Sequence, residues 1–154
     1  MRAMRAPASV RRTPAALATN KEGHVTATPV IAIVDDDVSV RQALGSLLRS
    51  FNLAVELYAS GPDLLRSPGL DAIRCLVTDV QMPAMSGFAL HAELRARGLD
   101  IPAVFMTAFP EARYRERAKE LDGCGFLSKP FLDIDMIRCV EQALARQRGA
   151  GRAG

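Results

Sequence analysis

Four places in the sequence put a chemically capable side chain directly after an apolar run. Val30-Ile31-Ala32-Ile33-Val34 ends in Asp35-Asp36-Asp37, and the run from Ile73 to Thr78 ends in Asp79. Ile101 to Met106 ends in Thr107, and Cys124 to Ser128 ends in Lys129. An acid where a buried strand leaves the core has an ordinary use as a turn or helix cap, which suits Asp37 and would suit Asp79 taken alone. Taken together, the four sites suggest more. Carboxylates sharing one rim repel by about 3 kcal/mol per pair at roughly 5 Å and an effective dielectric near 20. A cation among them relieves this, and an all-oxygen donor set suits a hard, hydrated ion, with Mg²⁺ the best fit. A carboxylate beside such an ion and the Lys129 ammonium can attack phosphorus and form an aspartyl phosphate. The two positive charges would offset charge on the transferring phosphoryl group, and the Thr107 hydroxyl could donate to one of its oxygens.

That chemistry requires a frame that brings four strand ends together. After the first run, Val40, Leu44, Leu47, Leu48 and Phe51 recur at helical spacing, with Asp37 as N-cap and Arg41 and Gln42 on the outer face. Leu53 to Tyr58 alternates and reads as an edge strand, and Ser60-Gly61-Pro62-Asp63 opens a short helix. A helix starts near Ser86 and closes at Gly98, and a charged helix runs from Pro110 to Leu121. A last helix starts at Asp133 with Ile134, Ile137, Val140 and Leu144 on one face. Strand and helix thus alternate five times, which requires parallel strands and right-handed crossovers. The expected fold is α/β, an open parallel sheet with helices on both faces. Strands one, three, four and five, the apolar ones, are expected inside. Ligands of such sheets bind beyond the carboxyl ends of the strands.

Composition narrows the alternatives. At 154 residues and 49% hydrophobic content the chain suits one domain with a full core. No run of about 18 apolar residues exists to span a membrane, and the arginine-bearing N-terminus lacks the apolar centre of a secretory signal. Its composition bears only a loose likeness to a transit peptide. Cys75, Cys124 and Cys139 lie within apolar segments without metal-ligand spacing, and His24 and His91 complete no set. Buried thiols in a reducing cytoplasm are expected. The net charge of +3 comes from the ends: residues 1–29 carry +4 and 146–154 carry +3, leaving −4 between them. Such ends are ordinarily solvated, so no specific nucleic-acid partner is expected. Residues 1–28 read as a disordered basic extension, 29–147 as the domain and 148–154 as a flexible tail.

Over about residues 30–147 the chain resembles the response-regulator receiver domains of two-component signalling. The markers are Ile33-Val34-Asp35-Asp36-Asp37, Val77-Thr78-Asp79-Val80-Gln81-Met82-Pro83-Ala84-Met85-Ser86-Gly87, Phe105-Met106-Thr107-Ala108 and Phe126-Leu127-Ser128-Lys129-Pro130-Phe131. Spacings of 43 from Asp36 to Asp79, 28 on to Thr107 and 22 on to Lys129 also match. The resemblance implies a flavodoxin-like (βα)5 sheet in strand order 2-1-3-4-5. It implies that Asp79 accepts the phosphoryl group from a sensor histidine kinase or phosphotransfer protein, and that Thr107 and Lys129 bind that group. Asp36 would hold Mg²⁺ directly, Asp35 largely through water, and the Gln81 backbone carbonyl would complete the protein ligands beside Asp79. Phe126 matches the aromatic switch position, and Lys129-Pro130 the usual cis peptide. The signal would be a change in the face formed by the fourth helix, fifth strand and fifth helix. That face would serve a downstream protein or a homodimer. The charged segment Glu111 to Glu120 departs from the small, apolar helix of the nearest members.

The short sequence after Leu144 suggests a stand-alone receiver, related to those fused to helix-turn-helix outputs, that binds another protein or competes for phosphoryl groups as a sink. Two alternatives differ in class. An aspartyl-phosphate phosphatase of the haloacid-dehalogenase kind would want a second aspartate two residues after the nucleophile, where Gln81 stands. A phosphorylation-independent interaction module would be indifferent to Asp79→Asn. Nucleotide or flavin binding lacks a glycine-rich loop after the first strand.

Overall fold

The computed structural model describes the backbone of residues 11–12, 17–19, 25–121 and 125–153, and side chains within 28–121 and 125–147. Five parallel strands carry the fold: β1 Val30–Val34, β2 Ala54–Tyr58, β3 Ile73–Asp79, β4 Ala103–Thr107 and β5 Gly125–Ser128. Their order is β2-β1-β3-β4-β5. Helices α1 Val38–Ser50, α2 Gly61–Leu65, α3 Gly87–Ala96, α4 Ala112–Glu120 and α5 Asp133–Ala153 connect and close the units. The flavodoxin-like (βα)5 arrangement is therefore present as expected.

Strand alternation divides the core in two. Val30, Ala32 and Val34 face a cluster with Leu64 of α2, Leu90 and Leu94 of α3 and Ala118 of α4. Ile31 and Ile33 face Leu44 and Leu48 of α1 and Met136, Ile137 and Val140 of α5. Both faces are covered, so β1 and β4, and β3 after the exposed Arg74, read as apolar runs that end abruptly in polar residues.

Five details differ from the sequence reading. All five residues of β2 are buried, whereas β5 is half-buried throughout, because among the described residues no strand lies beyond β5. Outside β2, Arg11–Arg12 adds a short antiparallel strand, pairing Arg11 with Leu57 and Arg12 with Glu56. Within the expected disordered extension a further antiparallel pair joins Leu17–Thr19 to Val25–Ala27. The rest of that extension before Val25, and Cys124, lie outside the described residues. In α5 the inward positions are Met136, Ile137, Val140, Ala143 and Leu144, while Ile134 is 52% exposed, since it sits in the first turn beside the open strand ends. The backbone of α5 stays helical to Ala153 through the expected tail, consistent with cooperative propagation past two glycines.

The start signals behave as read. The Asp37 carboxylate caps α1 by accepting from Ser39 N and Val40 N, and Ser86 caps α3 by accepting from Ala89 N. No helix among the described residues is long and apolar enough to cross a membrane.

Candidate functional site

The carboxyl ends of β1, β3, β4 and β5 meet at one rim. Hydrogen bonds between consecutive strand exits hold it: Val80 N donates to Met106 O at 2.7 Å, and Lys129 N donates to Thr107 O at 2.8 Å. Asp35, directly after β1, is fully buried, and its Oδ1 accepts from Asp37 N at 2.9 Å. Asp79, the last residue of β3, is 8% exposed. Its Oδ1 accepts from Gln81 N at 3.3 Å. Asp36 is exposed at the mouth.

Lys129 crosses between the acids. Its Nζ lies 2.9 Å from Asp35 Oδ2 and 3.1 Å from Asp79 Oδ2. The Lys129–Pro130 peptide is cis. Burial pushes the Asp79 carboxyl above its ordinary value against the opposing pull of Lys129, and the Asp35 charge pushes the same way as burial. Burial pulls the Lys129 ammonium down, but the hydrogen bond and charge of Asp35, then those of Asp79, outweigh it and hold the group above an ordinary lysine. Two buried carboxylates thus share one cation, and Asp36 adds a third acid. One carboxylate oxygen from each of Asp35, Asp36 and Asp79 lies within 4.8 Å of the other two. This oxygen-only donor set can hold a metal ion.

Thr107 is fully buried, and its hydroxyl engages the loop after β4, accepting from Phe109 N at 3.0 Å and donating to Phe109 O at 3.3 Å. Phe126 pairs with Phe105 across β4 and β5, with the Arg115 guanidinium 4.9 Å from its ring centroid. The rim therefore gathers Asp35, Asp36, Asp79, Thr107 and Lys129, with Gln81 in the next loop. Phe126 is half-buried in β5 and packs against the core cluster.

Two supporting roles escape the sequence reading. Arg41, expected on the outer face of α1, is buried and donates from Nη1 to Asp35 O at 2.7 Å. The available signal was periodicity, because Arg41 shares a helix face with buried Gly45 and Leu48. Gly87 packs against the end of β3 so tightly that a Cβ there would lie 2.4 Å from Asp79 O. The loop between them also carries Ala84 in a left-handed conformation, φ 71°.

Comparison with known proteins matches residues 31–141 to the family model for the response regulator receiver domain. The chain belongs to the response-regulator receiver family. This receiver is 35% identical over 128 residues to nodulation protein W of Bradyrhizobium diazoefficiens, covering 82% of this chain and 56% of that protein. It is 38% identical over 123 residues to the transcriptional regulatory protein FixJ of Azorhizobium caulinodans, covering 79% and 58%. The solved response regulator StyR superposes with a TM-score of 0.76 at 36% identity, covering 82% of this chain and 64% of that one. The chain spans just over half the length of these curated relatives. As a receiver it is a signalling module, and its acidic pocket with the bridging lysine has the arrangement typical of the family's phosphorylation site.

Proposed function

We propose that this receiver takes a phosphoryl group onto Asp79 from a sensor histidine kinase or phosphotransfer protein. The observation that carries the reading is Lys129 bridging Asp35 and Asp79 with Asp36 alongside. An Asp79 carboxylate oxygen attacks phosphorus. The bond from phosphorus to the donor breaks, and its electron pair leaves with the donor nitrogen, or with the carboxylate of acetyl phosphate. The Lys129 ammonium lies beside the attacking oxygen and offsets charge that grows on the phosphoryl oxygens. Asp36, Asp79 and the Gln81 carbonyl would hold Mg²⁺, with Asp35 acting largely through water, and the bound ion would supply further positive charge to the phosphoryl group.

The readout proposed is a change in the face of α4, β5 and α5. The product adds a charge near −2 and new acceptor oxygens. Thr107 then exchanges its Phe109 partners for a phosphoryl oxygen, and Phe126 fills the space left. A pre-existing equilibrium of the α4 side shifts, which a downstream protein or second copy would read. The working boundaries proposed are 29–147 for the receiver.

Intact-mass analysis after acetyl phosphate treatment tests this reading, with and without Mg²⁺, on the wild-type chain and Asp79→Asn. A Mg²⁺-dependent gain of one phosphoryl group in wild type alone is expected. Labelling that survives Asp79→Asn would overturn the assignment.

A further inference from the structure

The side chain of Gln81 lies in a groove that Asp79 does not line. The groove, about 490 Å³, runs between the loop after β3 and α4, and its walls include Val80, Met82, Pro83, Phe88 and Tyr114. There Gln81 Nε2 donates a 2.8 Å hydrogen bond to the Tyr114 hydroxyl. The same oxygen accepts from Arg113 Nη2 at 3.3 Å, and Arg113 Nε is held in turn by Glu111 Oε1 at 2.6 Å. The Arg113 guanidinium also lies 4.9 Å from the Tyr114 ring centroid. Behind it an aromatic row runs into the core: Tyr114 to Phe88 at 6.1 Å, then Phe88 to Phe105 at 4.8 Å. The phenol oxygen is thus positioned from several directions and presented to one group of the phosphoacceptor loop.

The helix that carries Tyr114 is anchored on its apolar side by Ala118 and by Tyr114 itself, which packs against the core. Ala118 is the buried residue of α4, and the rest of its sequence is mainly charged. Its position therefore also depends on side-chain ties such as Tyr114 to Gln81 and Arg115 to Phe126. The Gln81 backbone is already bound to the acceptor carboxylate through its N–H. Its side chain, by contrast, is turned into the groove and held there by Tyr114.

We infer that Tyr114 is a positioning residue that ties the Gln81 side chain to α4 and so sets the lifetime of the aspartyl phosphate. The inference rests on the reading of Asp79 as phosphoacceptor. In hydrolysis a water oxygen attacks phosphorus and the bond from phosphorus to the Asp79 oxygen breaks. The carboxylate leaves with the electron pair, and the water proton passes to solvent. A glutamine released from Tyr114 regains rotamer freedom and brings an amide, both donor and acceptor, into the path of that water. The coupling is reciprocal: a partner that moves α4 changes the phosphoryl lifetime, and a change at the phosphoryl group changes the tie to α4.

The test is a double-mutant cycle on the full chain. Wild type, Tyr114→Phe, Gln81→Ala and the double variant are labelled with acetyl phosphate and Mg²⁺. The donor is removed and loss of label is followed by intact mass. Tyr114→Phe should change the loss rate about threefold or more when Gln81 is present, and leave it unchanged when position 81 is alanine. The same effect in both backgrounds, or none in either, overturns the inference and leaves the Asp79 reading intact; no label on wild type overturns both. In the unlabelled protein, the Gln81 side-chain amide pair in an ¹⁵N spectrum should move toward free-glutamine positions in Tyr114→Phe. A pair that stays in place also overturns the tie, and a merely structural role for Tyr114 would not select that one amide.

Discussion

The Arg41 guanidinium reaches from the first turns of α1 to the Asp35 backbone carbonyl, 2.7 Å from Nη1 to oxygen. The carbonyl belongs to the residue whose side chain pairs with Lys129, so a helix on one face of the sheet fixes the exit of β1 into the acidic pocket. Arg41 is 9% exposed, and the carbonyl it satisfies is buried. Replacing it by methionine keeps much of the packing stem and removes the donor. Arg41→Met should destabilise the fold by about 1–3 kcal/mol, the cost of a buried acceptor left unpaired. Urea unfolding should show this as a lower midpoint with an unchanged slope.

Gly87 leads to a prediction of opposite logic, in which adding atoms is harmful. A Cβ would sit 2.4 Å from Asp79 O and 2.9 Å from Thr78 Cγ2. Since the first of these is backbone, the end of β3 or the start of α3 must move. Gly87→Ala should cost about 1–3 kcal/mol by overpacking and reduce labelling of Asp79. Gly61→Ala makes a useful control, because its 2.8 Å contact is the Met85 sulfur at the end of a flexible side chain. It should be milder on both measurements.

The frame and rim were legible because two of the covered strands, β1 and β4, stay apolar until they leave the core. Val30–Val34 and Ala103–Thr107 are buried at every position, so the switch to Asp35 or to the loop after Thr107 marks the rim in the sequence itself. What supports the rim was less legible. The outward reading of Arg41 followed its charge, although its helical spacing from Gly45 and Leu48 pointed inward. Ile134 was read inward from its apolarity, yet it lies in the first turn of α5, which opens onto the strand ends. The Tyr114 contact joins residues 33 apart on elements whose mutual packing has no local signature.

Ala84 carries a third expected outcome. Its φ of 71° places an alanine where glycine is at ease, in the loop between Asp79 and Gly87. Ala84→Gly should relieve about 1 kcal/mol of local strain, partly offset by the entropy glycine adds to the unfolded chain. A small rise in thermal midpoint is expected, with the Asp79 label retained. A clear loss of stability would mean that the methyl group has a packing role.

Lys129 tests whether the acids depend on a shared cation. Lys129→Met leaves two buried carboxylates facing each other. Breaking a buried pair in this way costs about 3–5 kcal/mol. Asp79→Asn in the same background removes one of the two charges, so the double variant should be more stable than Lys129→Met alone. Thermal unfolding of the four proteins, without divalent cation and then with it, reads the coupling directly. Added cation should recover stability in Lys129→Met more than in the double variant, because only the former keeps Asp35, Asp36 and Asp79 all acidic.

His91 predicts a pH dependence separate from the acidic pocket. It is 3% exposed on α3, its ring is 5.8 Å from Phe105, and among the described residues its Nδ1 has no hydrogen-bond partner. Burial lowers its pKa, and the Arg95 charge adds to this, against weaker opposition from the Ile101 carbonyl and Asp100. Because the folded value lies below the unfolded one, the unfolded chain takes up the proton first as pH falls. The stability associated with neutral His91 is fully present above about pH 6.5 and declines as the pH drops through the folded value. His91→Phe removes this linkage and one unpaired buried polar group, and roughly conserves volume. At pH 7.5 it should lie within about 1.5 kcal/mol of wild type. Between pH 7.5 and 5 it should lose less stability than wild type, with the gap widening as pH falls. Parallel urea titrations across that range measure the difference, and equal slopes for the two proteins would remove His91 as the source.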